Sequence, residues 1–89
     1  MISTAYTVTT TPVKLVATSV NARQISIHVI GNGTVYLGGS TVTTANGMAT
    51  EKHTVPYTFT LPAYNELWAV VAMDTEEVRV MVPSNMSGL

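Results

Sequence analysis

Cysteine is absent from this chain of 89 residues, so no disulfide bond can brace its fold. With no cysteine and only two histidines, the sequence also lacks the clustered ligands of a structural zinc site. A chain of this length has room for one domain and buries only roughly 60% of its unfolded surface. We therefore expect either a very regular fold or a fold that neighbouring molecules stabilise.

Charge is also scarce. Charged residues make up 10% of the chain, whereas ordinary soluble domains carry roughly 25%. Hydrophobic residues make up 46%, and the mean hydropathy is +0.30. Because a small domain normally uses charge to stay apart from its own copies, this composition predicts that much of the surface is covered in the working state. A monomer coated with threonine and serine is the alternative.

The sequence lacks a basic patch, a signal peptide and a long apolar run. Its net charge is −1, and its four basic residues are scattered, which excludes the electrostatic pattern of a nucleic-acid-binding protein. The opening residues "MISTAYTV" have neither the basic nor the apolar region of a signal peptide. No run approaches the roughly 20 apolar residues that cross a bilayer. We expect a soluble protein made in a cytoplasm, with no membrane partner.

What the sequence does contain is period-2 alternation of apolar residues. It recurs in the segments that begin at Val13, Ile25, Val55 and Val78. The stretch "LWAVVAM", residues 67–73, is almost wholly apolar and predicts a strand covered on both faces, with Trp68 substantially buried. The pattern predicts an all-β protein: a single antiparallel β-sandwich or small β-barrel of about six to eight short strands with extended termini.

The same pattern sets the expected domain organisation. Residues 1–11 form an N-terminal arm or the first strand, residues 12–83 the β-sandwich domain, and residues 84–89 a C-terminal tail. Pro56 should place its strand at a sheet edge or a bulge, because proline cannot donate to a ladder, and Pro62 should end that strand.

Two hairpins are predicted. In "VIGNGTVYL", a two-residue turn would put Val35 and Leu37 on the opposite face from the apolar residues of the preceding strand. A turn of three residues puts all of them on one face, so burial favours a turn made by Gly31, Asn32 and Gly33. Gly33 would then take the left-handed conformation. The second hairpin is expected to turn at residues 74–76.

The residues offer little catalytic chemistry. All five acidic side chains fall in predicted turns or at strand ends, where carboxylates are normally solvated. His28 and His53 have no acidic cluster beside them that would complete a metal site. No G-x-S-x-G turn presents a nucleophile. We predict that the protein is not an enzyme and has no catalytic residue, no metal and no cofactor.

The stretch "VYLGGSTVTTANG" has thirteen residues and no charge. It lacks both the lysine and the following helix that a phosphate-binding loop needs. Gly38 and Gly39 are predicted to let the chain leave the sheet sharply, and the loop that follows can bond to a neighbour without burying a charge. Its candidate interface residues are Ser40, Thr41, Thr43, Thr44, Asn46 and Gly47.

This stretch, with the later "ELWAVVA" and "EVRVMVP", resembles a family of small virion proteins of tailed bacteriophages. In that family a hairpin ending in the pattern "vyiGGs.VTt.nG" precedes a short strand. The resemblance covers roughly residues 12–83. It implies a capsid decoration protein that binds the outside of the major capsid protein lattice and stabilises the head. It also implies a homo-oligomer, a trimer by the local symmetry of icosahedral shells, made in a bacterial cytoplasm and located on the capsid exterior.

The chain departs from the family pattern in "MATEKHTVPYTFTLPAYNE", residues 48–66, where members more often have a glycine-containing turn and a shorter strand. A different mode of attachment would lie there. The loop at residues 38–47 and one or both termini are expected to make the contacts between subunits.

Two other functions stay open on the residues alone. A virion-displayed carbohydrate-binding or adhesion module would need two exposed aromatic side chains on one face, drawn from Tyr36, Tyr57 and Tyr64. A structural protein of the tail or neck would have the same composition.

Overall fold

The alternating pattern folds into two antiparallel sheets in the computed structural model, which describes residues 2–52 and 54–82. The strands are β1 Ile2–Val8, β2 Val13–Val16, β3 Arg23–Val29, β4 Val35–Gly38, β5 Met48–Thr50, β6 Tyr57–Leu61, β7 Leu67–Val71 and β8 Glu76–Val82. Sheet A has the order β1-β8-β3-β6, and sheet B has the order β2-β7-β4-β5. No helix occurs in these ranges. The predicted all-β fold is confirmed, as a small β-sandwich.

The core lies between the two sheets. Ile25, Ile27 and Val29 of β3 are buried, while Gln24, Ser26 and His28 between them point to the outer face of sheet A. Sheet B contributes the other half of the core: Leu15, Val16, Val35, Leu37, Leu67, Ala69 and Val71. Branched side chains suit this pleated layer, and each fully buried one contributes about 1.5–3 kcal/mol.

Both predicted hairpins are wrong. β3 and β4 belong to different sheets, so residues 30–34 form a corner that carries the chain across the sandwich. Gly33 does not have a positive φ there. β7 and β8 also lie in different sheets, and their corner places Asp74 at φ 58°. The predictions failed because two strands in opposite sheets turn the same residues inward as two strands of one hairpin do, so alternation does not distinguish the two arrangements.

The N-terminal segment is a strand and not an arm. β1 pairs with β8 along its whole length, from Ile2 opposite Val82 to Val8 opposite Glu76. Val8 is fully buried in the core. The predicted tail at residues 84–89 lies outside the described residues, as does Pro83.

Two finer predictions have different outcomes. In β2 the predicted alternation that begins at Val13 is interrupted, because a bulge between Lys14 and Val16 turns Val16 into the core and leaves Ala17 exposed. The prediction for β6 is confirmed. It is an edge strand that begins after Pro56 and ends before Pro62.

Candidate interaction surfaces

The uncharged loop at residues 39–47 lies on the outer face of sheet B. Its anchor is Val42, which is only 4% exposed although it is not part of the core between the sheets. A β-carbon added to Gly38 would lie 2.8 Å from Val42 Cγ2. One added to Gly47 would lie 2.8 Å from the same atom and 2.7 Å from Cβ of Tyr36. Gly38 and Gly47 are therefore needed for this close packing, and the Val42 N–H donates to Gly39 O at 3.0 Å in the turn that follows β4.

Hydrogen bonds within the loop fix its shape. The Thr43 N–H donates to Asn46 Oδ1 at 2.8 Å. Thr43 Oγ1 accepts from the N–H groups of Ala45 and Asn46, each at 3.2 Å, and the Gly47 N–H donates to Thr43 O at 2.8 Å. Three of the predicted interface residues, Thr43, Asn46 and Gly47, thus stabilise the loop itself.

The other three predicted interface residues, Ser40, Thr41 and Thr44, are exposed on the surface of this loop. Thr41 and Thr44 line a shallow depression of about 500 Å³ between the loop, Val70 of β7 and the connection before β2. The depression has no charged side chain in its lining. Sequence reasoning missed Val42, although an apolar residue between two glycines in an otherwise polar loop is a signal for such an anchor.

Trp68 is mostly buried, as predicted, and it belongs to a polar cluster on sheet B. Its indole N–H donates to Glu66 Oε1 at 2.9 Å, and the Thr18 hydroxyl donates to Glu66 Oε2 at 3.1 Å. Lys14 Nζ lies 3.5 Å from Glu66 Oε2 and 5.6 Å from the centre of the Trp68 ring. The Trp68 and Thr18 bonds, aided by the Lys14 charge, lower the pKa of the Glu66 carboxyl below its ordinary value.

One other ion pair lies within the described residues, and two further carboxylates lie against uncharged neighbours. Arg79 pairs with Glu77 on the outer face of sheet A, with Nη2 2.6 Å from Oε2. Glu51 Oε2 accepts from the Thr34 hydroxyl at 3.1 Å. The Glu76 carboxylate lies against the Gly31 and Gly33 corner. Ion pairs thus match four of the nine described charged side chains, Lys14 with Glu66 and Arg79 with Glu77.

Large apolar side chains are exposed at several places. Met48 and Tyr57 point toward the layer between the sheets, as their partners Leu37 and Ile27 do, yet they are 61% and 41% exposed. The sandwich is therefore open along the side formed by β5 and β6. Val20 and Tyr64 are largely exposed, at 68% and 70%, in two loops that the Tyr64 N–H to Ser19 O bond joins.

The three tyrosines considered for a sugar platform lie on separate elements. Tyr36 is half-buried on the outer face of sheet B, Tyr57 begins edge strand β6 of sheet A, and Tyr64 follows that strand in a loop. None of the depressions described in residues 2–52 and 54–82 is lined by two of these side chains.

The described ranges bring no three His, Cys, Asp or Glu side chains together in a group that could hold a metal ion. His28 is half-buried on the outer face of sheet A, and His53 lies outside the described residues. Within the same ranges, no helix has the length and hydropathy of a membrane-spanning segment.

Comparison with protein-family models, with curated proteins and with solved structures finds no match to this chain.

Proposed function

We propose that this protein is a bacteriophage capsid decoration protein, which binds the outside of the major capsid protein lattice as a homo-oligomer and stabilises the head. The observation that carries the proposal is the loop at residues 39–47, a rigid and uncharged surface element built on a marginal core. The pattern of residues 35–47 that resembles phage virion proteins lies in this same element. A structural contact role needs no catalytic group.

Physical reasons favour a neutral loop for this task. The buried centres of protein interfaces are depleted of charge, because a charge taken out of water costs more than a hydroxyl that finds a hydrogen-bond partner. The hydroxyls of Ser40, Thr41 and Thr44 are exposed and offer such bonds. Val42 and the bonds of Thr43 hold the loop in one shape before binding, which lowers the entropy lost on docking.

Many weak contacts would suffice on a shell. A decoration protein occurs in many copies, and each copy needs only modest affinity for the sum to oppose internal pressure. The exposed Met48 and Tyr57 along the open β5 and β6 side supply apolar area that a neighbouring subunit would cover. A trimer is the state that the resemblance implies on the shell, and the copy number at each binding site tests it.

The direct test is binding of the purified chain to empty shells assembled from the major capsid protein of the same virus. The Thr44→Glu variant places a charge on the exposed surface of the loop, and Gln24→Glu places the same charge on an exposed residue of the outer face of sheet A, away from the loop. We expect the wild type and Gln24→Glu to sediment with shells. Thr44→Glu should bind at least roughly tenfold more weakly, because its carboxylate would be buried without a partner.

Two results would contradict the proposal. If the folded wild type fails to bind shells over the whole accessible concentration range, the chain is not a decoration protein. If both variants bind as the wild type does, the shell contact does not involve this loop. A glycan array against host cell-wall sugars is the parallel assay for the adhesion alternative.

A further inference from the structure

The four edges of the two sheets differ in how well they resist pairing with another strand. Exposed edges are normally protected by proline, by charge, by bulges or by shortness, because their free N–H and C=O groups would otherwise template further pairing. In sheet B, β5 has three residues, and β2 has four, with Lys14 and a bulge. These two edges are protected in the ordinary ways.

The edge strand β6 of sheet A is protected by its prolines. The Ile30 N–H donates to Glu77 O of β8, and backbone groups alternate in direction along an antiparallel strand. The odd-numbered residues of β3 therefore bond to β6, and their partners there include Tyr57 and Phe59. The backbone N–H and C=O groups of Thr58 and Thr60 therefore point to the open side of β6. Pro56 and Pro62 occupy the next outward positions on either side of them. The outward N–H groups of this edge are therefore limited to those of Thr58 and Thr60, because the prolines on either side have none.

The edge strand β1 has none of these protections. It is seven residues long, and its sequence "ISTAYTV" contains no charge, no proline and no glycine. The backbone groups of odd-numbered β8 residues bond to β3, so those of even-numbered β8 residues bond to β1. The β1 residues opposite them are also even-numbered. The backbone N–H and C=O groups of Ser3, Ala5 and Thr7 consequently point away from the sheet, and all three residues are exposed.

We propose that β1 pairs antiparallel with β1 of a second copy of this chain, across a two-fold axis at Ala5, to join two copies of sheet A into one sheet. A strand centred on Ala5 is complementary to itself. In that register Ala5 lies opposite Ala5, and Ser3 lies opposite Thr7, so that all the outward backbone groups of these residues are bonded.

The side chains suit the same register. On the inward face it sets Ile2 opposite Val8 and Thr4 opposite Tyr6, pairs of apolar or branched and aromatic residues that favour cross-strand packing. On the outward face it brings together only Ser3, Ala5 and Thr7. Because β1 has no charged residue, no like charges meet. Ile2, which is 50% exposed in one copy, gains a neighbour.

This inference concerns the isolated chain and does not rest on the proposed function, but a two-fold dimer and the trimer implied on the shell are different oligomers, so a measurement of mass distinguishes them. Sedimentation equilibrium of the full chain from about 5 to 500 µM is the first measurement, since one pair of strands forms a small interface of modest affinity. We expect the mass to approach twice 9.5 kDa as the concentration rises. A monomer at every concentration, or a trimer, would overturn the pairing.

Charge variants locate the contact. Ala5→Lys and Ala5→Glu each set like charges opposite one another at the two-fold axis, so each variant alone should be a monomer, while an equimolar mixture should recover the dimer mass. Thr58→Lys adds the same charge on the outward face of the edge strand β6 and should leave the dimer intact. Circular dichroism melting verifies that each variant is folded.

A cysteine variant checks the register. Facing residues of a hydrogen-bonded pair have Cα atoms about 5.5 Å apart, within the range that a disulfide spans. Because the chain has no native cysteine, Ala5→Cys should form a covalent dimer on mild oxidation, and Thr58→Cys should form at least tenfold less. A dimer that persists in folded Ala5→Lys, or equal cross-linking of the two cysteine variants, would contradict pairing at β1.

Discussion

Gly47→Ala is the sharpest perturbation of the loop that covers sheet B. The new methyl would lie 2.7 Å from Tyr36 Cβ, 2.8 Å from Val42 Cγ2 and 2.9 Å from Thr43 O. The Tyr36 and Thr43 atoms belong to or adjoin the backbone, so no side-chain rotation relieves the overlap. Thr43 O is also the acceptor for the Gly47 N–H, and any shift that makes room strains that bond.

The expected cost follows from these contacts. Overpacking a well-packed site costs about 1–3 kcal/mol of unfolding free energy. If the loop detaches instead, the loss of Val42 burial costs a similar amount, about 1.5 kcal/mol for its apolar groups. For a domain of this size, even the lower value corresponds to a fall of about 4 °C or more in melting temperature.

Gly39→Ala is the matched control, because a β-carbon there has no atom within 4 Å, and no glycine in the described ranges has a positive φ. It should keep the wild-type unfolding free energy or raise it by up to about 1 kcal/mol, because alanine lowers the conformational entropy of the unfolded chain. Urea and thermal unfolding followed by circular dichroism measure both variants. Equal unfolding free energies for Gly47→Ala and Gly39→Ala would refute the close packing of Val42 against Gly47.

Three further predictions concern neighbouring sites. Because the Glu66 pKa is lowered on folding, its carboxylate stabilises the fold above the ordinary glutamate pKa. This contribution is lost as the pH falls through the lowered pKa. Urea unfolding measured over this pH range should therefore show a smaller decrease in unfolding free energy for Glu66→Gln than for the wild type. Gly31→Ala should cost less than about 1 kcal/mol, since only the flexible end of Glu76 must move to solvent; an unfolding free energy as low as that of Gly47→Ala would contradict this. Val42→Ala should speed hydrogen exchange of the Gly47 amide at least tenfold while the β3 amides keep their protection; unchanged exchange would show that Val42 does not hold the loop.

The sequence predicted which residues face the core better than which strands are neighbours. Alternation correctly placed Ile25, Ile27 and Val29 inward, because burial acts on each residue according to its face. It could not distinguish a hairpin from a corner at Gly31, since Val35 and Leu37 are inward in both arrangements. Strand neighbours depend on contacts far apart in the chain, such as Val35 opposite Val71, and a local pattern does not encode them.

The candidate site shows the same limit. The sequence predicted an uncharged contact loop, but not which of its residues also hold it together. Thr43 and Asn46 are exposed and stabilise the loop through their hydrogen bonds, whereas the exposed Ser40 and Thr44 are residues to which we assign the contact. Spacing alone could not separate these tasks, because they depend on Val42 folding back onto the outer face of sheet B. The open edge of β1 likewise became visible only once its partner β8 was known.

The proposal implies that a bacteriophage encodes this chain, and the most direct test of this central claim is a cryo-electron microscopy reconstruction of purified particles of that phage. The proposal predicts density for two four-stranded sheets at many equivalent positions on the outer surface of the head. The loop at residues 39–47 should lie against the capsid protein. Density confined to the tail or neck, or heads that carry no such density, would contradict the account.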